Sequence, residues 1–254
     1  QDLSAAMQRE LRGGGRDQQM WRAALSVAFC ALMRGGELGR QRGEAFDASI
    51  HLTRADLSFF RDAKGVLHAR LRMRPLKKER MARCKGATVV LRAGGSLLDP
   101  VQELWRMLEL DPVEEAARGH TPLFRRAADG EAIATDDVCA MVKALMKAVG
   151  RDPRDYGAHS LRIGGATAAM AAGVDPAIIK VLGRWSSDIY MIYMRMNREA
   201  AAAAGAAIAS TAFPAVEGAP QTEAFDDLLL PGQQRLPTAA EVALSDSGDE
   251  SGGD

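Results

Sequence analysis

The chain has 254 residues, 47% of them apolar, with 33 basic and 33 acidic side chains. That length supports one or two domains with a real core, no apolar run is long enough to span a bilayer, and no secretory leader pattern opens the sequence. The net charge of zero hides a segregation: residues 216–254 carry nine acids and one base, which leaves +8 on residues 1–215, a basic body suited to a polyanion beside an acidic tail.

Residues 1–16, ending in "LRGGGR", read as a flexible lead-in, and the start at Gln1 reads as a fragment of something longer. From Met20 the apolar residues Met20, Trp21, Ala24, Leu25, Ala28, Phe29, Leu32 and Met33 recur at helical spacing. Gly35 and Gly36 in "RGGELGR" are expected to break that regularity. "ADLSFF", "VLHARLRM" and "ATVVL" are short strand-like runs with turns at Gly65 and Gly86, which predict a small three-stranded antiparallel sheet. Between residues 61 and 92 there are eleven bases and two acids, a pattern expected of a surface that meets a phosphate backbone.

The remainder reads as helices. Asp99-Pro100 opens one, Thr135 is expected to cap a second that ends at Gly150, and "HSLRIGGATAAMAAG" forms a third that ends at Gly173. "DPAIIKVLG" has Asp175 as cap, Pro176 in the first turn and Gly183 as stop. A helix carrying Tyr190 and Tyr193 follows, capped by Ser186 or Ser187, and then an alanine-rich helix. From about Phe213 to Asp254 the acids, Pro, Gly and Ser predict a disordered tail, with "FDDLLL" as a sticky segment. The fold class expected is therefore α+β, mainly helical, with a body over 17–212. Cys30, Cys84 and Cys139 lack metal-ligand spacing and suit a reducing, intracellular setting.

Chemistry-bearing residues gather in two blocks. Arg34 stands at a helix end three residues before Glu37, and His159 and Arg162 stand in "HSLR" near a helix start. Guanidinium forks bind phosphate oxygens bidentately and stay charged. Histidine can hold a phosphate or pass a proton, and tyrosine can act as a covalent nucleophile.

"ALMRGGEL", a basic sheet, then "HSLRIGGATAAMAAGVDPAIIKVLGRWSSDIYMIYMR" resemble, in order, the catalytic domain of the tyrosine recombinase (phage integrase) family across residues 17–200. The C-terminal block is most similar to the eukaryotic branch of DIRS-type retrotransposons and Cryptons. The resemblance implies the tyrosine recombinase catalytic-domain fold. It also implies catalytic roles for Arg34, Lys77, His159, Arg162, Trp185 and Tyr193, with Glu37 in support. Tyr193 takes the nucleophile's place because it lies ten residues after Gly183, and Tyr190 then packs. Two departures stand out: Arg184 follows the glycine where many members have His or Trp, and "LKKE" replaces the usual S-K-T-D, so Lys78 and Lys85 compete with Lys77.

The implied activity is site-specific DNA cutting and rejoining through a 3′-phosphotyrosine, with no metal, nucleotide or other cofactor. The implied partner is double-stranded DNA, contacted by Arg72, Arg74, Lys78 and Arg184, with four copies assembled on it and no membrane association. The compartment would be the nucleus in a eukaryotic host. The alternative is a catalytically inactive DNA-binding relic of a mobile element. A phosphate-handling enzyme unrelated to DNA fits the basic hairpin less well.

Overall fold

Four-residue recurrence puts Met20, Ala24 and Ala28 on the buried face of α2 (Arg16–Cys30) in the computed structural model, which describes residues 2–74, 87–96 and 98–185. The chain divides into two units, Gln1–Arg195 and Met196–Asp254, and every described residue belongs to the first. Lys77, Lys78, Cys84, Lys85, Tyr190, Tyr193, the alanine-rich segment, the boundary at 212 and the acidic tail lie outside the described residues.

The residues expected to be a flexible lead-in are instead helical over α1 (Asp2–Glu10). The reason is a short apolar stripe. Leu3, Ala6, Met7 and Leu11 recur at three- and four-residue steps, and Ala6 and Met7 are fully buried. The stripe packs on α5 (Thr135–Ala148), where Arg9 Nη1 donates to the Ala148 carbonyl at 2.9 Å. The start of α5 also differs from expectation. Thr135 is its first residue, and Asp137 caps by accepting from the Ala134 amide at 2.8 Å.

α4 (Pro100–Leu110) lies along α2. Asp99 caps it by accepting from the Val101 and Gln102 amides, and Pro100 stands where no amide donor is required. Glu103, 1% exposed, crosses this apolar interface and takes Gln19 Nε2 at 2.8 Å and Arg22 at 2.9 and 2.7 Å. Both carboxylate oxygens are used, so the pair fixes where α2 sits along α4.

The sheet forms as its alternation dictates, with β1 (Leu57–Arg61), β2 (Leu67–Arg72) and β3 (Thr88–Arg92) antiparallel in the order 1-2-3. Pairing of Phe59 with Ala69 and of Leu71 with Val89 places the apolar residues on one side, which α4 covers. Phe59 meets Trp105 of α4 edge to face, with ring centroids 5.1 Å apart. The other side of the sheet faces outward.

Two further helices complete the body, α6 (Ala158–Ala171) and α7 (Pro176–Gly183). α6 approaches the end of α2 so closely that a Cβ on Gly165 would lie 2.1 Å from the Phe29 carbonyl oxygen. Only glycine permits this approach without moving backbone.

Beneath the connection between α4 and α5, Asp111 gathers Arg16, Arg54 and Arg125. Arg54 is 1% exposed and reaches Asp111 at 2.6 Å, while its Nη1 has no hydrogen-bond partner among the described residues. Burial is the strongest influence on that guanidinium and draws it down to about 10 against the pull of Asp111. Burial pushes the Asp111 carboxyl up, but the Arg125 hydrogen bond and the charges of Arg54, Arg125 and Arg16 reverse this and hold it below the ordinary range. Asp56 and Glu103 end in the same state: burial raises each, but the Thr53 amide, followed by Arg74, the Thr53 hydroxyl and Arg72, brings Asp56 below its ordinary value, and Arg22 and Gln19 with the charge of Arg106 do the same for Glu103.

Folded values below the unfolded ones mean that these carboxylates stabilise the protein above about pH 4, and that this contribution disappears as pH falls through the folded values. Urea midpoints should therefore drop steadily below pH 4. Asp111→Ala should cost about 3–5 kcal/mol at neutral pH by leaving Arg54 buried without a counter-charge, and should flatten the acid dependence. Gly165→Ala should cost about 1–3 kcal/mol by forcing α6 off α2. Equilibrium urea unfolding measures all three.

Candidate active site

α2 ends in an uncommon way. Ala31 closes it, and Leu32 then turns left-handed at φ 51°, with the Met33 amide returning to the Ala28 carbonyl at 2.9 Å. For a residue with a branched side chain this conformation costs about 1–2 kcal/mol. It is offset by burial of Leu32 in a small second core with Ala166 of α6 and Ile179 of α7. The same turn exposes the Leu32 carbonyl to α6, where Arg162 Nη1 donates to it at 2.6 Å.

The regularity of α2 is broken before the two glycines, as expected, and they then open a separate helical turn, α3 (Gly35–Leu38), with Arg34 at its cap position. Glu37 sits three residues on and accepts from the Arg34 amide at 2.7 Å. Its carboxylate also takes Arg34 Nη1 at 3.3 Å and Arg184 at 3.1 and 2.6 Å. Burial raises Glu37. The hydrogen bond and charge of Arg184, followed by the Arg34 amide and charge, outweigh that and leave its carboxyl below the ordinary range, hence ionised at neutral pH.

α7 ends at Gly183, and Arg184 caps it in the left-handed conformation at φ 57°. Leu32 and Arg184 are the two non-glycine residues with positive φ among the described residues, and both belong to this cluster. The turn exposes two consecutive carbonyls. Gly183 accepts from Arg162 Nη2 at 2.6 Å, and Arg184 accepts from Arg34 Nη2 at 3.0 Å. It also carries Trp185 over Arg162, the guanidinium carbon lying 4.0 Å from the ring centroid. The ring fills the space where a side chain on residue 183 would stand.

Arg34, Glu37, Arg162, Arg184 and Trp185 thus meet in one place. His159 is half-buried on α6, one turn before Arg162. Arg184, expected among the DNA contacts, points its guanidinium inward to Glu37 and to the Ala31 and Leu182 carbonyls. Its role in this arrangement is to tie α7 to the Arg34 turn. Arg72 and Arg74 lie elsewhere, at the end of the sheet, and share the buried Asp56 at 3.0 Å each. Sequence reading did not anticipate the backbone carbonyls of Leu32, Gly183 and Arg184 as partners. The one signal for them is an arginine between Gly183 and Trp185.

Among the described residues, three guanidiniums and one carboxylate gather here, at the junction of three helices. Such an array can hold an anion and stabilise charge that grows on it. Among the described residues no group of three or more His, Cys, Asp or Glu could hold a metal ion, and no helix is long and apolar enough to cross a membrane.

No family model and no curated protein matches the chain. Among solved structures, the XerH site-specific recombinase bound to palindromic difH substrate, a post-cleavage complex, aligns at TM-score 0.56 with 17% identity, over 81% of this chain and 49% of its own. The XerH pre-cleavage complex with difH aligns at TM-score 0.53 with 18% identity, over 79% and 49%. The Tn1549 transposon integrase in complex with a circular-intermediate DNA superposes more loosely, at TM-score 0.42 and 14% identity, over 75% and 59%. The chain spans about half the length of the XerH structures it matches. With a mainly helical body, a three-stranded antiparallel sheet and this likeness, the chain has the fold of tyrosine recombinase catalytic domains.

Proposed function

We propose that the chain is the catalytic body of a site-specific DNA recombinase or integrase, cutting and rejoining strands through a 3′-phosphotyrosine. The observation that carries this reading is the convergence of Arg34 and Arg162 on consecutive carbonyls, Arg184 and Gly183, beside Trp185. Residues 128 apart in sequence meet within one turn of backbone, in a fold shared with the XerH complexes solved with DNA.

In this mechanism the Tyr193 oxygen attacks a backbone phosphorus. The bond from phosphorus to the 5′ oxygen breaks, and that oxygen leaves as a hydroxyl after taking a proton from Lys77. Arg34 and Arg162 stabilise the charge that grows on the non-bridging oxygens, each worth about 10²–10³ in rate. His159 steadies the phosphate or passes the tyrosine's proton. Glu37 and Arg184 act through position, keeping Arg34 and the end of α7 in register. The phosphotyrosine conserves the energy of the broken bond, so a 5′-hydroxyl from another strand can reverse the step without a nucleotide. Four copies on double-stranded DNA, a further DNA-clamping domain, and kinship with DIRS-type and Crypton elements in a eukaryotic nucleus belong to the same proposal.

The test is a nicked or phosphorothiolate suicide duplex, with covalent protein–DNA adduct read on a denaturing gel. The wild-type chain should form adduct, Tyr193→Phe should abolish it, and Tyr190→Phe should leave it largely intact. Arg34→Ala and Arg162→Ala should each slow adduct formation about 10²–10³-fold. Salt-dependent DNA binding without any adduct would instead identify the inactive relic, and loss of adduct only in Tyr190→Phe would move the nucleophile.

A further inference from the structure

The outward side of the sheet is not an ordinary solvated face. Its residues include Phe60 of β1, His68, Arg70 and Arg72 of β2, and Val90 and Arg92 of β3, and the three strands contain no acid at all. Asp62, one residue past β1, is engaged by the Lys64 and Val66 amides and lies 3.9 Å from His68. Register places His68 opposite both Phe60 and Arg92, and Arg70 opposite Val90. Arg70 and Arg92 are therefore diagonal neighbours on adjacent strands, about 7–8 Å apart along the sheet.

Most arginines in the described residues are matched by carboxylates: Asp111 takes Arg16, Arg54 and Arg125, Glu103 takes Arg22, and Asp56 takes Arg72 and Arg74. Arg70 and Arg92 make no ion pair among the described residues, although the charges of Asp62 and Arg92 attract each other at longer range. Arg70 is nonetheless held in place, with its guanidinium carbon 4.9 Å from the Phe60 ring centroid and that ring stacked on His68 at 5.0 Å and 15°. Two like charges set side by side on a sheet repel each other, and the aromatic stack holds one of them in place over the Phe60 ring. An anion arriving over this face would relieve the repulsion and would find one guanidinium already placed.

We propose that the outward sheet face is a second DNA-contact surface, on which Arg70 and Arg92 grip the phosphate backbone of a duplex apart from the Arg34–Arg162 cluster. This rests on the DNA-recombinase reading and deepens it. β2 and β3 are also the strands joined by residues 73–87, which include Lys77, so the face belongs to the same stretch of chain as the proposed proton donor. The grip is on phosphate and carries no base preference.

The experiment is a salt titration of duplex binding by the full chain, with Arg70→Ala/Arg92→Ala, Arg70→Lys/Arg92→Lys, and the charge-matched Arg12→Ala/Arg154→Ala on another surface. The alanine pair should lower the slope of log affinity against log salt by about 0.9 for each phosphate no longer neutralised, uniformly across DNA sequences. The lysine pair should keep most of the slope, which separates charge from folding. The Arg12/Arg154 pair should match wild type. An unchanged slope in the alanine pair beside a steep wild-type slope would overturn the inference and leave the recombinase reading standing, as would an equal loss in the Arg12/Arg154 pair. A flat wild-type slope together with no suicide adduct would overturn both.

Discussion

Two helices end at the same point in this fold, and one guanidinium makes that possible. α2 and α7 both direct their carboxyl ends toward Arg162. Each end carries unsatisfied carbonyls and the negative pole of a helix dipole. Brought together without a cation, these ends would repel and would leave buried acceptors unpaired. Arg162, 2% exposed, donates to Leu32 at the first and to Gly183 at the second, and Trp185 closes over it. Removing the charge from that position would undo the junction.

The geometry around Arg162 follows from this constraint. α6 must approach α2 closely enough for its side chain to span both ends, and Gly165 supplies the clearance. Both helices must stop with a carbonyl turned sideways, which the left-handed residues Leu32 and Arg184 provide. Glu37 then links Arg34 to Arg184, which ties the turn after α2 to the turn after α7. Strain at two residues is held by burial and by charge-assisted hydrogen bonds, and the result is a preorganised cationic corner rather than a set of flexible side chains. Preorganisation is what lets such groups act on a transition state without first having to be ordered.

Much of this was legible in the sequence. The alternation of "VLHARLRM" and the punctuation of "DPAIIKVLG" specified the sheet and α7, because period-two burial and Asp-Pro-to-Gly signals are local. The pairing of Arg34 with the HSLR block was legible only through resemblance, since nothing local links residues 34 and 162. Local readings failed where tertiary contacts decided the outcome. The three glycines at 13–15 suggested a loose start, yet the stripe ahead of them was sufficient to bury Ala6 and Met7 on α5. Gly35 and Gly36 do follow a break, since α2 stops at Cys30, and Arg34 and Glu37 then cap the separate turn that they form.

Charge was the hardest property to read along the chain. A count of bases marks residues 61–92 as a single cationic stretch, but the fold treats its arginines differently. Arg72 and Arg74 converge on Asp56, which lies just ahead of β1 and outside that count. Arg184 is likewise drawn inward by Glu37, which lies 147 residues earlier. A buried carboxylate brings arginines toward it from whatever segments the fold supplies, and this converts apparent surface charge into internal scaffolding. What remains for a polyanion is the remainder after that pairing, and on the outward face of the sheet it includes Arg70 and Arg92, whose strands contain no acid. The distribution of carboxylates, more than that of arginines, therefore decides which parts of this basic body are open to phosphate.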